Sequence, residues 1–261
     1  MSDTKYKAIV FDIDHSLTTL GGPERQEKVF GLPPISHVGG LASINKVLSK
    51  LLVKRTITKK HELLGEYAVD EVIDFSDKLR EAGVNMMIID TITMLGTQER
   101  TEIVRERTGD NKSKLESLDQ QGWGIYGARM EKFINFLSKC NFPIIITGHV
   151  NREPDEFGRP IEYPDIKGST KTSIGRYFDV ILYSKVNKSG DNTATYSWIT
   201  KADSRYLFAK NRGDYLEPMM DQNLSIILSK YKENGINAPK ILILGDTGNG
   251  KSWSLQTINN K

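Results

Sequence analysis

The feature that most constrains this chain is a glycine-rich segment at residues 245–252, which reads Gly-Asp-Thr-Gly-Asn-Gly-Lys-Ser. It fits the pattern GxxxxGKS/T in full, between a strand-like apolar run at 241–244 and a run at 253–258 that can begin a helix. Glycines here let successive backbone N–H groups curl around a phosphate, and the helix N-terminus adds a favourable dipole. A chance match in a glycine-rich turn is the alternative. The flanking strand and helix favour a phosphate-binding loop, which belongs in an α/β fold.

The loop also predicts side-chain roles. Lys251 can reach the β- and γ-phosphates of ATP, and the Ser252 hydroxyl can bind Mg²⁺. Such loops work with a carboxylate at the end of a neighbouring strand, and residues 86–90, Met-Met-Ile-Ile-Asp, have that form. We therefore predict that Ser252 and Asp90 bind the metal, with a turn-capping role as the alternative for Asp90. The predicted nucleotide-binding residues are Gly245, Asp246, Thr247, Gly248, Asn249, Gly250, Lys251, Ser252 and Trp253.

Short apolar runs bounded by turn residues predict the strands. They occupy residues 8–11, 86–89, 143–146, 179–183 and 240–244. Several lack polar alternation, as expected for central strands that are covered on both faces. Between them, apolar residues at helical spacing predict helices, the clearest at 126–137 and a second at 72–82. Strands that alternate with helices predict one α/β domain over residues 1–261, with a mostly parallel central sheet flanked by helices.

Composition excludes several other classes of protein. The 261 residues are 38% hydrophobic and 26% charged, which rules out a disordered, collagen-like or disulfide-rich chain. A single cysteine, Cys140, cannot form an intrachain disulfide. No apolar run is long enough for a membrane span, and the polar start lacks the apolar core of a signal peptide. We therefore expect a cytoplasmic protein.

Further short motifs follow the strand-like runs. Residues 11–17 read Phe-Asp-Ile-Asp-His-Ser-Leu, residues 88–90 Ile-Ile-Asp, and residues 146–149 Ile-Thr-Gly-His. Residues 175–182 and the Ala-Lys-Asn-Arg of 209–212 come later. If the two ends of the chain are joined and the motifs are read onward from the phosphate-binding loop, their order resembles that of the RecA-like ATPases. The resemblance is greatest to the short phage-type recombination and single-strand-annealing ATPases.

The resemblance implies a circularly permuted RecA-like core. Only ten residues follow Lys251, so we expect the remaining strands upstream in the chain. Residues 1–218 would supply the strands that normally follow the loop, and residues 219–261 the strand and helix of the loop itself.

The resemblance also implies residue roles. Asp14 would be the catalytic base that polarises the attacking water, and His149 would sense the γ-phosphate. Lys210 and Arg212 would act in trans on the ATP of a neighbouring subunit. The implied partners are single-stranded DNA and further copies of the chain in a filament or ring, and the implied setting is a phage-infected host cytoplasm. Because Asp14 stands where the family has a glutamate, a nucleotide-binding module with little hydrolysis is the alternative.

A phosphatase is the less favoured alternative. Residues 11–16 also resemble the first motif of the haloacid-dehalogenase-type phosphatases, with Asp12 as nucleophile and Asp14 as general acid. Thr147 and Lys201 would then be the second and third motifs. The fourth motif fails, because Gly250 stands where its second aspartate is expected.

Candidate DNA-binding segments are also visible. A basic run without acids, with Lys46, Lys50 and Lys54 on one predicted helical face, either follows a phosphate backbone or is a solvated helix face. The polar segment 96–122 predicts a mobile loop or a short exposed helix, and the segment 151–175 predicts a loop. Both stand at the DNA-facing positions of RecA relatives. Their basic residues are Arg100, Arg105, Arg107, Lys112, Lys114, Lys167, Lys171 and Arg176, and Trp123 and Tyr163 could stack on bases or pack internally.

Overall fold

A computed structural model describes residues 5–36, 39–108, 118–168, 170–188 and 194–259. Among these residues the strands are β1 Ala8–Asp12, β2 Leu52–His61, β3 Gly65–Phe75, β4 Met86–Asp90, β5 Ile144–Gly148, β6 Val150–Pro154, β7 Pro160–Pro164, β8 Val180–Lys188, β9 Ala194–Ile199, β10 Lys210–Asn211, β11 Met219–Asp221 and β12 Lys240–Leu244. The α-helices are α1 Pro23–Phe30, α2 Leu41–Leu51, α3 Asp77–Glu81, α4 Ile92–Thr108, α5 Gln120–Ser138, α6 Thr170–Ser173, α7 Leu224–Glu233 and α8 Lys251–Ser254. Short 3₁₀ helices cover Ser16–Leu20, Ile174–Tyr177 and Leu255–Asn259.

A central sheet has the strand order β1-β4-β5-β12-β8-β9-β11, and β10 pairs with β8. The five strands from β1 to β8 in this order run parallel, and the later strands are antiparallel to their neighbours. These five strands are the five apolar runs that the sequence predicts. Strands β1, β4, β5 and β12 are buried along their whole length, which explains their apolar sequences without alternation. The sheet confirms an α/β fold with a mostly parallel centre.

The last strand along the chain, β12, lies in the middle of the sheet. It pairs in parallel with β5 on one side and with β8 on the other. Both neighbours come earlier in the sequence. Carboxyl ends of parallel strands share one edge of a sheet, so the loop after Leu244 lies beside the residues that follow β4 and β5.

The segment between α2 and α3 differs from the prediction. Residues 72 and 75 belong to β3, so the helix predicted at 72–82 is wrong apart from the short α3. Lys46 and Lys50 lie on α2, but Lys54 lies on β2, so the three lysines do not share a helical face. The β-branched residues that follow Leu52 favour a strand, and β2 pairs with β3 over its whole length.

The two polar segments also contain regular structure. Residues 96–108 belong to helix α4. Glu99 of this helix turns inward and accepts a hydrogen bond from the Leu41 backbone N–H (2.8 Å). Residues 109–117, with Lys112 and Lys114, lie outside the described residues. Residues 151–164 form most of an antiparallel ribbon of β6 and β7. Residues 206–209 form a turn before β10.

Helix α5 confirms the clearest helical prediction. Its apolar stripe, which includes Tyr126, Met130 and Phe133, is buried against the sheet. The helix begins at an N-cap, where the Asp119 side chain accepts a hydrogen bond from the Gly122 N–H (2.8 Å). Among the described helices, none is long and apolar enough to cross a membrane.

Candidate functional site

The glycine-rich loop connects β12 to α8 as the sequence predicts. Gly248 and Gly250 adopt φ angles of +82° and +79°, which side chains rarely tolerate. A Cβ at Gly250 would lie 2.7 Å from Oε1 of Gln222 and 3.0 Å from the Tyr196 ring. The backbone conformation therefore favours glycine at 250, and a side chain there would also displace the Gln222 amide and crowd the Tyr196 ring. Helix α8 begins directly afterwards at Lys251, so the loop's N–H groups and the helix N-terminus are adjacent.

Lys251 folds back over the loop. Its Nζ donates to the backbone carbonyls of Gly245 (2.9 Å) and Asp246 (2.8 Å), and its side chain is buried. Burial lowers the pKa of the ammonium group, although the charges of Asp90, Asp246 and Asp14 act in the opposite direction. These two carbonyls use two of its three N–H donors. The remaining donor gives the lysine a hydrogen bond that an incoming phosphate can accept.

Asp90, at the end of β4, is the centre of the site. Its Oδ1 accepts a hydrogen bond from the Thr147 hydroxyl, and its Oδ2 accepts from Ser16 (2.5 Å) and Ser252 (3.0 Å). The two serine hydroxyls lie 2.9 Å apart. The carboxylate is completely buried, which raises its pKa, while the hydrogen bonds from Ser16, Thr147 and Ser252 act to lower it. The predicted pair Asp90 and Ser252 is therefore brought into direct contact.

Asp12 and Asp14 extend this centre from the end of β1. Carboxylate oxygens of Asp12, Asp14 and Asp90 lie within 4.8 Å of one another. Asp12 is only 2% exposed, and within the described structure its Oδ1 has no hydrogen-bond partner. Its pKa is raised to about 6, first by burial and then by the charge of Asp90. Clustered carboxylate and hydroxyl oxygens, one of them without a partner, are the hard ligands that suit Mg²⁺.

A cavity of about 690 Å³ lies over the loop. Its lining includes Lys251 and Ser252 on one side and Asp14 and His149 on another. Burial lowers the pKa of His149, and the charge of Lys251 lowers it further, so the imidazole is neutral at pH 7. Trp253, which is 54% exposed, also lines the cavity. The structure thus brings together the loop, Asp90, Asp14 and His149.

Lys210 and Arg212 lie elsewhere. Lys210 pairs with Ile181 near the start of β8, which is the opposite end of the parallel strands from the loop. Its Nζ donates to the carbonyls of Phe178 (2.7 Å) and Gly175 (3.0 Å), and Arg212 forms an ion pair with Asp179 (2.8 Å). Neither side chain reaches the loop of its own chain. Their predicted action on the ATP of a neighbouring subunit stays a prediction.

Arg152 is a site residue that sequence reasoning missed. This β6 side chain forms an ion pair with Asp246 of the loop and also donates from Nε to Glu162 (3.2 Å). Arg205 donates to the same Glu162 oxygen (2.5 Å). Arg152 and Asp246 are 94 positions apart, so no local pattern could have indicated their contact.

Gln222 and Ser16 were also missed. Gln222 donates to the carbonyls of Asn249 (3.0 Å) and Ser197 (3.3 Å), and so fixes the loop to β9. No sequence pattern marks it. The sequence carries a weak indication of Ser16, because this hydroxyl follows Asp14 by two residues and lies within the motif at residues 11–17.

The predicted DNA-stacking aromatics are engaged within the chain. Trp123 packs edge-on against Tyr126, with ring centroids 5.7 Å apart. Tyr163 lies on the β6–β7 ribbon, where the Lys171 ammonium is 4.8 Å from its ring centroid and the Phe208 ring is 5.5 Å away. Both rings are partly buried.

The phosphatase alternative fits this geometry poorly. A nucleophile must meet its substrate, but Asp12 is buried and lies on an edge strand. Thr147 donates to Asp90, and Asp246 is paired with Arg152. The contacts instead gather around Asp90 and the glycine-rich loop.

Comparison with known proteins gives one family. The model of the AAA domain family matches residues 4–213. That range contains Asp12, Asp14, Asp90 and His149 and ends before the loop at 245–252. No curated protein and no solved structure matches the chain.

Proposed function

The chain belongs to the AAA domain family, and on that premise we propose that it binds ATP with Mg²⁺ and hydrolyses it in a reaction coupled to single-stranded DNA. The observation that carries this proposal is the 3.0 Å contact between Ser252 Oγ and Asp90 Oδ2. These residues are 162 positions apart, yet they meet at the start of α8 beside the phosphate-binding loop. A loop that had only a structural role would not need a buried carboxylate there.

Each residue of the site then has a role. The backbone N–H groups of 245–250 and the Lys251 ammonium bind the phosphates. Asp14, which lines the cavity, orients and polarises the attacking water, and Asp12 is its buried neighbour. The neutral imidazole of His149 hydrogen-bonds the γ-phosphate. Ser252 and Asp90 would hold Mg²⁺, which neutralises charge that develops on the phosphates during transfer.

Lys210 and Arg212 are proposed to act between subunits. A cation that approaches from a neighbouring chain stabilises negative charge in the transition state for phosphoryl transfer. Arg212 is the better candidate for movement, because its side chain is 56% exposed and its ion-pair partner is a single carboxylate, that of Asp179. Lys210 is held by two carbonyls and partly buried, which lowers its pKa. The proposed assembly is a filament or ring.

The coupling to DNA is assigned to the β6–β7 ribbon and α6. Strand β6 follows His149 directly, and Arg152 on β6 contacts Asp246 in the loop. The resemblance to phage-type ATPases favours a role in recombination or annealing. A ribbon that contacts both the loop and DNA would let each ligand change the affinity for the other.

We also propose that the core is circularly permuted. The loop's strand β12 comes last along the chain but lies between β5 and β8. Tyr6 and Asn259 are joined by two hydrogen bonds, Tyr6 N–H to Asn259 Oδ1 (2.7 Å) and Asn259 Nδ2 to the Tyr6 carbonyl (3.0 Å). Joining residue 261 to residue 1 and opening the chain before Met219 should therefore give a folded protein with unchanged ATP affinity.

The central test is ATP turnover with Mg²⁺, with and without single-stranded DNA, in the parent and in Lys251→Ala. Lys201→Ala is the matched control, because Lys201 is exposed and is the third-motif lysine of the phosphatase alternative. DNA-stimulated turnover that is lost in Lys251→Ala and kept in Lys201→Ala supports the proposal. The reverse pattern favours a phosphatase.

A module that binds nucleotide with little hydrolysis is the second candidate. The aspartate at position 14 favours it, because a carboxylate one methylene shorter than glutamate must reach the same water. Tight ATP binding without turnover, and DNA affinity that changes when ATP binds, would select this function. Asp14→Glu should then raise turnover.

A further inference from the structure

The β2–β3 ribbon, residues 52–75, is unusually exposed for a regular element. Every side chain that the structure describes between Thr56 and Glu71 is exposed. Only the foot of the ribbon is anchored, through Leu52, Ile73 and Phe75. An isolated two-stranded ribbon is marginally stable in water, so a strand pair of this length gains from a partner.

The tip of the ribbon is apolar. Leu63 is 89% exposed, the largest exposed fraction among the large apolar side chains of the described residues, and its neighbour Leu64 is 68% exposed. Single exposed leucines are ordinary, but two adjacent ones at the end of a projecting ribbon form a compact apolar contact point.

An apolar groove lies at the foot of the same ribbon. It has a volume of about 250 Å³, and its apolar lining includes Leu48, Leu52, Ile73 and Phe136. Strands rise about 3.3 Å per residue, so the eight steps from Val53 to His61 separate foot and tip by roughly 26 Å. The tip therefore cannot reach the groove of its own chain.

The charges of the ribbon are self-complementary. Strand β2 carries four basic residues and no acids, and β3 carries four acids and no basic residues. These residues are Lys54, Arg55, Lys59 and Lys60 on β2, and Glu66, Asp70, Glu71 and Asp74 on β3. The opposite charges cancel, which argues against a phosphate backbone as the partner. Lys54 pairs with Glu71 and Arg55 with Asp74 within the ribbon, so a second copy meets no net charge repulsion there.

We propose that the β2–β3 ribbon is an assembly arm whose Leu63–Leu64 tip inserts into the groove at the foot of the ribbon in a second copy of this chain. The tip and the groove are different surfaces, so the same contact can repeat from copy to copy and build a ring or filament. This inference adds a contact surface to the proposed assembly and rests on the proposed function for the role of Lys210 and Arg212 between subunits. The contact itself does not depend on ATP hydrolysis.

Sedimentation velocity over a range of protein concentrations, with and without Mg-ATP, tests the arm. The variant Leu63→Ser/Leu64→Ser should weaken self-association at least about 30-fold, as expected for apolar anchors at an interface. The control Leu207→Ser/Ile226→Ser removes two exposed apolar side chains elsewhere and should associate like the parent. Binding of a fluorescent ATP analogue, measured on the same samples, should be unchanged in all of them.

The groove is tested separately with Ser49→Trp, which fills it, against Lys50→Trp on the next exposed position of α2. Ser49→Trp should be monomeric and Lys50→Trp should assemble. A mixture of Ser49→Trp with the tip variant should restore one tip-to-groove contact and give dimers. A monomeric parent, a tip variant that assembles normally, or a Ser49→Trp variant that still assembles would overturn the proposal. Loss of ATP binding with assembly intact would instead count against the proposed function alone.

Discussion

Two buried lysines stand at the two ends of β12, and they differ in what remains for their ammonium groups to do. Lys240 begins the strand and donates to three carbonyls, those of Ala238 (2.6 Å), Cys140 (2.9 Å) and Phe142 (3.0 Å). Lys251 follows the other end and donates to two carbonyls of the loop. Both side chains are 6% exposed, and burial lowers the pKa of both.

The difference lies in the number of satisfied donors. An ammonium group has three N–H donors, so Lys240 is fully satisfied by the carbonyls around it. It fastens the ends of β5, α5 and β12 together and has no donor left for a ligand. Lys251 is equally buried but retains one donor, beside a cavity and a helix N-terminus. Burial alone therefore does not mark a functional lysine; an incomplete set of partners does.

Removal of Lys251 should have the largest effect on function. Lys251→Ala deletes a positive charge that the transition state needs, so we expect turnover to fall by about 10²–10³-fold. Stability should fall less than in Lys240→Met, because Lys251→Ala leaves two carbonyls without a donor whereas Lys240→Met leaves three. Steady-state ATP hydrolysis and urea unfolding measure the two effects. A large loss of stability with activity retained would reverse the comparison between the lysines.

The carboxylates at the same end of the sheet give the next largest effect. Asp14→Asn should lower turnover about 100-fold, since an amide is a poor acceptor for a proton from the attacking water. Asp12→Asn should retain turnover within a few-fold and raise the free energy of unfolding at pH 7 by about 1–3 kcal/mol, because it removes an uncompensated buried charge. Equal loss of turnover in both variants would mean that Asp12 also acts in the reaction.

The pH dependence of the Asp12 effect has a definite sign. Its pKa is raised to about 6 in the folded protein, so the folded state binds more protons than the unfolded state between about pH 4 and pH 6. The Asp12 contribution to stability therefore falls as the pH rises through this range. The stability gain from Asp12→Asn should be nearly absent at pH 4 and complete above pH 7, as measured by urea unfolding.

The structural lysine should affect stability instead of function. Lys240→Met leaves three buried carbonyls without donors, and we expect it to lower the free energy of unfolding by about 2–4 kcal/mol at pH 7. ATP affinity of the folded protein should stay within about twofold. A variant as stable as the parent would show that water or a rearranged side chain satisfies those carbonyls.

The same lysine gives a second pH test. The pKa of Lys240 is lowered to about 8, so above pH 8 the unfolded chain binds the extra proton and the folded protein does not. The Lys240 contribution to stability should therefore increase from about pH 8 to pH 10. The difference in stability between parent and Lys240→Met should widen over that range. A difference that is constant with pH would contradict the lowered pKa.

The sequence predicts the centre of the molecule better than its edges, for a physical reason. Central strands such as β4 and β12 are buried on both faces, so burial forces an apolar run that is visible without any partner. The β2–β3 ribbon has almost no buried face, so β2 carries no alternating apolar pattern. Its Lys54 continues the helical spacing of Lys46 and Lys50 on α2 by coincidence. For the residues of α4 from 96 onward the sequence leaves a loop or a short exposed helix open, because it does not show that the charged Glu99 is buried and paired with Arg129 from α5.

The same reasoning separates the parts of the site. Lys251, Ser252 and Asp90 belong to short motifs whose chemistry requires those residue types in that order. Arg152 and Gln222 act through contacts with distant segments, and neither leaves a local pattern. What a sequence encodes locally is the phosphate-binding loop, while the residues that hold the loop in place emerge only from the packing of β6 and β9 beside it.

The smallest predicted effect concerns Arg152, at the loop end of β12. Its side chain is partly exposed to solvent, whereas Lys240 at the other end of the strand is buried. Arg152→Ala leaves Asp246 unpaired near the phosphates, so we expect ATP affinity to fall about 3–10-fold through electrostatic repulsion, within the range for partly exposed ion pairs. Asp246→Asn in the Arg152→Ala background should restore most of that affinity, because it removes the repelling charge. Titration with a fluorescent ATP analogue across the four members of this double-mutant cycle measures the coupling. If Asp246→Asn did not restore the affinity of Arg152→Ala, Arg152 would act on the nucleotide directly. The loop end would then owe its affinity to a second cation instead of to a neutralised aspartate.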